Sequence, residues 1–249
     1  MKRSAGRVRR LSVALSAAGV IALSLTGCTG GPEAPPLPDS TRTVTRAPEP
    51  TPASCLASEP EVRATGMGQV EVQILGTGSK VVVISNQSGQ DLCGWKSVAE
   101  ALVSRGYEVA LYDYVGAADE NAVTIATLMR AQGATKLALL GASQGAKASI
   151  IAATRTSVPP DALVALSGEQ YLEGQDVSKS AAKLRCPTLF VTADHDPFDA
   201  TSANEEFQRV APTGVSTLTV VPGTDHGIQL LGHPDVSAQV FAFLQVHLG

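Results

Sequence analysis

From Lys80 to Leu248 the chain alternates short, continuous apolar runs with stretches of helical periodicity, and that rhythm leaves few folds open. Lys80–Ser85 contains Val-Val-Val-Ile, and Lys136–Leu140, Ala162–Leu166 and Thr188–Thr192 are similarly apolar. Runs this short and this uniformly apolar read as strands buried on both faces. Tyr107–Tyr114 and Ser216–Val221 add two more, and Val70, Val72 and Ile74 alternate with Glu71 and Gln73 as a half-buried, edge-type strand would. Between them lie helical patterns at 95–105, 119–132, 144–156, 199–210 and 235–248. Gly106 and Gly133 stop the first two, and Pro159-Pro160 follows the third. The fold class is therefore α/β, a mostly parallel central sheet with helices on both faces. In such sheets functional residues stand beyond the carboxyl ends of the strands.

The N-terminus follows different rules. Five of the 19 basic residues fall within the first 27 positions, which hold no acidic residue. An uncharged apolar run over residues 11–25 comes next, ending in Leu25-Thr26-Gly27-Cys28. A basic start, a short apolar stretch and small residues make residues 1–27 a secretory signal peptide, because the run is shorter than the roughly 20 residues a bilayer span needs. Leu25–Cys28 resembles the bacterial lipobox, whose cysteine is acylated. Cys28 is accordingly the expected lipidation site, with palmitate or a similar chain, and the expected location is the extracytoplasmic face of the cell membrane. Arg9-Arg10 does not decide between export routes. Residues 28–54 carry seven prolines and few apolar groups, so they read as an extended, disordered tether. The folded domain is expected over 55–249.

Charge narrows the partners. With the five basic residues of the leader set aside, 23 Asp and Glu face 14 Lys and Arg, and an acidic body is a poor match for a phosphate backbone. No nucleic acid is expected, and oligomeric state is not legible. The four cysteines have no zinc-ligand spacing.

One local pattern carries chemistry. After the strand Lys136–Leu140 comes Gly141-Ala142-Ser143-Gln144-Gly145, leading directly into a helix. Glycines two before and two after a serine at a strand-to-helix turn let the backbone bend sharply and present the hydroxyl at a helix N-terminus. A serine nucleophile needs a base, and the candidates are His195, His226, His233 and His247. His195 lies inside an acidic loop, His233 in Gly-His-Pro and His247 next to the C-terminus, whereas His226 follows the strand Ser216–Val221 on a glycine-flanked loop at the same end of the sheet as Ser143. The loop after Thr192 supplies Asp194, Asp196 and Asp199 as acids to orient the imidazole. Asp194 lies close to the strand and Asp199 sits where a helix cap is expected, which leaves Asp196, rigidified by Pro197, as the favoured acid.

With these residues in view, 69–249 resembles the α/β-hydrolases, in a compact form similar to dienelactone hydrolases and esterases. Val81–Asn86 looks like their third strand and oxyanion loop, Ser104–Val109 like their helix-to-strand junction, and Cys186–Val191 with Asp196-Pro197 like the strand bearing their acid. The order Ser143, Asp196, His226 is that of the family. The resemblance implies acyl transfer to Ser143 with His226 as general base, no cofactor and no metal, and a small-molecule or lipid-like ester as substrate. The oxyanion donors it implies are the backbone N–H of Gln144 and that of Ser88 or Gln87. Where the family usually has His-Gly in that loop, this chain has Asn86-Gln87. The segment between Gly168 and Pro187, where a lid is commonly inserted, is short, so an open site is expected. The other class of function compatible with the sequence is a non-catalytic lipoprotein on the same fold that binds a ligand or partner.

Once Cys28 is set aside, three thiols remain. Export exposes them to oxidising conditions, and Cys55 with Cys93 is the expected disulfide because Cys186 precedes a buried strand; three free thiols are the competing arrangement.

Overall fold

A computed structural model of the 249-residue chain describes residues 51–59 and 62–249; the expected signal peptide, Cys28 and most of the expected tether lie outside them. No helix among the described residues is long and apolar enough to cross a membrane.

Eight strands form one sheet. In chain order its members and helices are β1 (Arg63–Met67), β2 (Val70–Leu75), β3 (Lys80–Ser85), α1 (Lys96–Val103), β4 (Glu108–Tyr112), α2 (Ala118–Ala131), β5 (Lys136–Ala142), α3 (Gln144–Arg155) and β6 (Ala162–Leu166). A two-stranded hairpin, β7 (Tyr171–Leu172) and β8 (Gln175–Asp176), and the short α4 (Ser178–Ala181) occupy the segment where a lid was expected to be reduced. Then follow β9 (Thr188–Ala193), α5 (Ala200–Val210), β10 (Ser216–Val221) and α6 (Pro234–Leu248).

The sheet order is β1-β2-β4-β3-β5-β6-β9-β10. All pairings from β4 to β10 are parallel, while β2 runs antiparallel to both β1 and β4. From β3 the chain moves to β4 on one side and, after α2, to β5 on the other. The crevice between the ends of β3 and β5 is therefore the topological switch point, the place where such sheets bind ligands.

Two apolar layers cover the sheet. Ile125, Met129, Ile150 and Phe207 from α2, α3 and α5 pack on one face with Val83, Leu139 and Phe190. On the other, Leu102 of α1 and Val240 and Leu244 of α6 pack with Trp95, Val82, Leu140 and Val191. Strands contacted on both faces must be apolar throughout, which is why β3, β5, β6 and β9 lack alternation.

β2 corrects the expectation of an edge strand. It is covered by β1, whose residues are exposed or half-buried without alternation and so give little periodic signal. Gln73, which resembles a solvent-facing residue, is 3% exposed. Its amide donates to Thr51 O at 3.3 Å and accepts from Ala53 N–H at 3.1 Å, so a buried polar group is satisfied by main chain that the sequence assigns to the tether. The folded body thus takes in residues 51–54. Cys55 and Cys93 form a disulfide with their Cα atoms 5.9 Å apart. Cys186 is free and buried, and burial pushes its thiol up to about 11.

Candidate active site

β5 passes into α3 through Ser143, whose φ of 51° and ψ of −116° lie where side-chain-bearing residues are rarely found. The turn is held because Ser143 N–H donates to Leu166 O at 2.8 Å, and because glycines flank it. A Cβ at Gly141 would lie 2.2 Å from Gly145 O, and one at Gly145 would lie 2.0 Å from Ser85 O. Only hydrogen fits where the ends of β5, β3 and the start of α3 converge. Ser143 occupies the N-cap position of α3 without a side-chain cap bond, which places it at the positive end of the helix dipole.

His226 follows β10 and meets Asp196, which follows β9. His226 Nδ1 lies 2.8 Å from Asp196 Oδ2 and 3.0 Å from Oδ1. The Asp196 side chain is fully buried, and its Oδ1 also accepts from Phe198 N–H at 3.0 Å. A carboxylate on Nδ1 leaves Nε2 as the ring's outward nitrogen and favours the tautomer that can accept a proton there. The Phe198 ring covers the imidazole with centroids 4.5 Å apart, while Gln229 Oε1 accepts from His226 N–H at 3.1 Å.

The other candidates stand elsewhere. Asp194 accepts from Gly223 N–H at 2.9 Å and pairs with His195, both in the open, and the Gly223 bond followed by the His195 bond holds its carboxyl below the usual range. Asp199 opens α5 in a left-handed conformation, with a φ of 57°. Its side chain binds Ser202 Oγ at 2.8 Å rather than a backbone N–H, so it is a cap by position without the expected bond. His233 pairs with Asp225, and His247 packs edge-on against Phe243.

Two charged residues that sequence reasoning did not single out complete the centre. Glu169, three residues after β6, accepts the Ser143 Oγ hydrogen bond on Oε1 at 2.9 Å. The same oxygen lies 3.6 Å from His226 Nε2. Lys147, on the first turn of α3, places Nζ 2.5 Å from Glu169 Oε2. Ser143 thus spends its donor on a carboxylate, and no hydrogen bond joins it to His226 among the described residues. A lone Glu after a strand has no local signature, and neither has a Lys four residues after Ser143.

The loop after β3 forms the facing wall. Asn86 donates to Tyr112 O at 3.1 Å and to Asp113 Oδ1 at 2.9 Å, and its carbonyl accepts from Tyr114 Oη at 2.7 Å. Asn86 therefore anchors the loop. Gln87 reaches across it, with Oε1 accepting from Ile228 N–H at 3.0 Å, and so ties this loop to that of His226. Ser88 Oγ donates to Gln144 Oε1 at 2.8 Å. Gln144 opens α3 and its N–H has no helical acceptor. The N–H groups of Gln87 and Ser88 have no acceptor among the described residues either, so both sequence candidates for the second donor stay available.

Ser143, His226, Glu169, Phe198, Gln87 and Gln229 line an open cleft of about 440 Å³. Among the described residues no three His, Cys, Asp or Glu side chains converge as a metal site requires.

No protein-family model matches the chain, and no curated protein matches it. Solved structures do. The chain is similar to an esterase of Pyrococcus furiosus, 16% identical, with a TM-score of 0.64 over 76% of this chain and 91% of that one. A monoacylglycerol lipase of Paleococcus ferrophilus is 15% identical, with a TM-score of 0.61 over 72% and 99% of the two chains. A hydrolase of Pseudomonas aeruginosa is also 15% identical, with a TM-score of 0.61 over 74% and 98%. At such identities the likeness speaks for architecture, and together with the sheet order and the positive-φ serine turn at its switch point it gives this chain the α/β-hydrolase fold.

Proposed function

We propose that this chain is a serine hydrolase that cleaves carboxylic esters of small-molecule or lipid-like substrates through an acyl-enzyme. The observation that carries the reading is the buried Asp196 carboxylate on Nδ1 of His226, which lines the same cleft as Ser143. Ser143 Oγ bonds to the ester carbonyl carbon as its proton passes to His226 Nε2, and the carbonyl electron pair moves onto oxygen. That oxygen is stabilised by Gln144 N–H and by the N–H of Ser88 or Gln87. Collapse breaks the bond to the alcohol, which leaves with the proton from Nε2. Water repeats the sequence on the acyl-enzyme and releases the acid. The path needs neither metal nor organic cofactor.

Labelling by a fluorophosphonate probe tests the assignment. Wild type is expected to label, and Ser143→Ala to lose both the label and p-nitrophenyl butanoate hydrolysis, a loss on the order of 10⁶-fold in kcat by analogy with serine proteases. A second reading, a non-catalytic binding protein, is favoured by the Ser143 hydrogen bond to Glu169 instead of His226. An unlabelled wild type would select it.

The exported, membrane-anchored location is part of the same proposal. It rests on the basic leader and on Leu25–Cys28. Stable anchoring takes more than one acyl chain. Cys28→Ala is expected to shift the protein from membrane to soluble fractions; unchanged fractionation would refute the anchor.

A further inference from the structure

We infer that Glu169, held by Lys147, selects substrates whose acyl group carries a hydroxyl one or two carbons beyond the reacting carbonyl. This rests on the serine-hydrolase reading and names the substrate class for that site.

The argument starts from what Glu169 Oε1 is doing. It accepts a hydrogen bond from the nucleophile itself, 2.9 Å away. When Ser143 Oγ attacks, its proton goes to His226, and Glu169 loses that donor. An oxygen of a carboxylate that is only 22% exposed is then better satisfied by another donor than by none. The acyl carbons next to the carbonyl lie closest to Oγ, so a hydroxyl on the first or second of them comes within hydrogen-bond reach of Oε1. An unsubstituted acyl chain offers nothing there, and Oε1 is left without the hydrogen bond it had from Ser143, with only the Lys147 ion pair on Oε2.

The choice of hydroxyl over ammonium follows from charge. Glu169 already has a cation, Lys147 Nζ at 2.5 Å from Oε2. His226, whose Nε2 is 3.6 Å from Oε1, becomes a second cation beside Glu169 as it takes the serine proton. A substrate ammonium would bring a third cation into the same few ångströms, whereas a hydroxyl donates without adding charge.

The rest of the cleft suits the same group. Gln87 and Gln229 each turn Oε1 to a backbone N–H, that of Ile228 and of His226. Those donors fix the orientation of both amides, and their NH₂ ends have no acceptor among the described residues. A hydroxyl uses both kinds of partner, donating to Glu169 and accepting from an amide, where an alkyl chain uses neither.

The test compares p-nitrophenyl esters of butanoate, 3-hydroxybutanoate and 3-aminobutanoate on the full-length protein in detergent, corrected for spontaneous hydrolysis. The 3-position is used because a 2-hydroxyl activates the ester inductively without any enzyme. Wild type is expected to favour 3-hydroxybutanoate over butanoate in kcat/KM by about ten- to a hundredfold, the worth of one hydrogen bond to a charged partner. Glu169→Gln should bring the ratio to within about threefold of unity, and Lys147→Met should lower it part of the way. The ratio is taken within each variant, so a general loss of activity cancels. Butanoate turnover with no hydroxyl preference, or a preference that survives Glu169→Gln, would overturn this inference while leaving the hydrolase reading intact. A stronger preference for the ammonium ester would overturn the choice of hydroxyl. No turnover of any ester together with no fluorophosphonate label would instead overturn the hydrolase reading, and this inference with it.

Discussion

Asp196 and His226, thirty residues apart in the chain, meet with Nδ1 within 3.0 Å of both carboxylate oxygens, and the Asp196 side chain is fully buried. The pairing exists because β9 and β10 are adjacent parallel strands whose following loops leave the sheet on the same side. Neutralising the acid while keeping its shape isolates its charge. Asp196→Asn is expected to lower kcat by up to about 10⁴-fold, because the imidazole is left in the wrong tautomer. Asp194→Asn and Asp199→Asn should stay within about tenfold of wild type. Steady-state rates of the three variants on p-nitrophenyl butanoate decide the matter; a crippled Asp194→Asn beside a normal Asp196→Asn would move the acid.

Gly145 gives a second expectation, on folding. Its missing Cβ would point at the Ser85 carbonyl from 2.0 Å, and that atom is main chain in a central strand. Gly145→Ala forces β3 and α3 apart and should cost about 3 kcal/mol or more, the upper end of what overpacking a core does. Urea denaturation measures it, and a change under about 1 kcal/mol would mean the junction yields more easily than its geometry implies.

The Cys55–Cys93 bridge closes a loop of 38 residues. In the chain-entropy account such a closure stabilises the fold by about 4 kcal/mol. Cys55→Ser should lower the unfolding free energy by that order, and Cys93→Ser should do the same, with no further loss in the double variant. Alkylation of either cysteine without prior reduction would exclude the bridge.

Asp161 predicts a pH effect. Burial raises its carboxyl, but the hydrogen bonds from Lys136 Nζ at 2.8 Å, Leu137 N–H at 2.9 Å and Arg130 at 2.7 Å outweigh it, and the net direction is below 3.8. A depressed folded value stabilises the protein above the unfolded value, and that contribution fades as pH falls through the folded one. Asp161→Asn should therefore be less stable than wild type at neutral pH, and the gap should close on the acid side of 3.8. A gap that is constant with pH would show that the charge is not what matters.

The parts of this molecule that were legible in sequence are those encoded locally. β3, β5, β6 and β9 are continuous apolar runs, and their expected bounds fall within two residues of the observed ones. Ser143 is announced by the glycines that its turn requires. Asp196 and His226 are found by strand-end position and chain order. What failed depended on partners far along the chain. Gln73 looks exposed until Thr51 and Ala53 cover it, and β1 is a strand only because β2 pairs with it. Glu169 is invisible for the same reason, since its meaning comes from Ser143, 26 residues away, and from Lys147 on another element. Nor can a sequence choose between the N–H groups of Gln87 and Ser88, which differ by one residue in a loop.

The disulfide also sets how the body bears load. Any pull arriving along the chain upstream first meets the two hydrogen bonds that hold Thr51 and Ala53 to Gln73, and beyond them, at Cys55, the path forks. One branch runs through β1, β2 and β3; the other crosses directly to Cys93, beside the buried Trp95. Because the second branch is covalent, tension cannot unzip the antiparallel β1–β2 edge from its free end, as it would if that hairpin were the first thing in line. The force is delivered instead beneath the wall of the cleft, close to Asn86 and Gln87, where the molecule is anchored by its core.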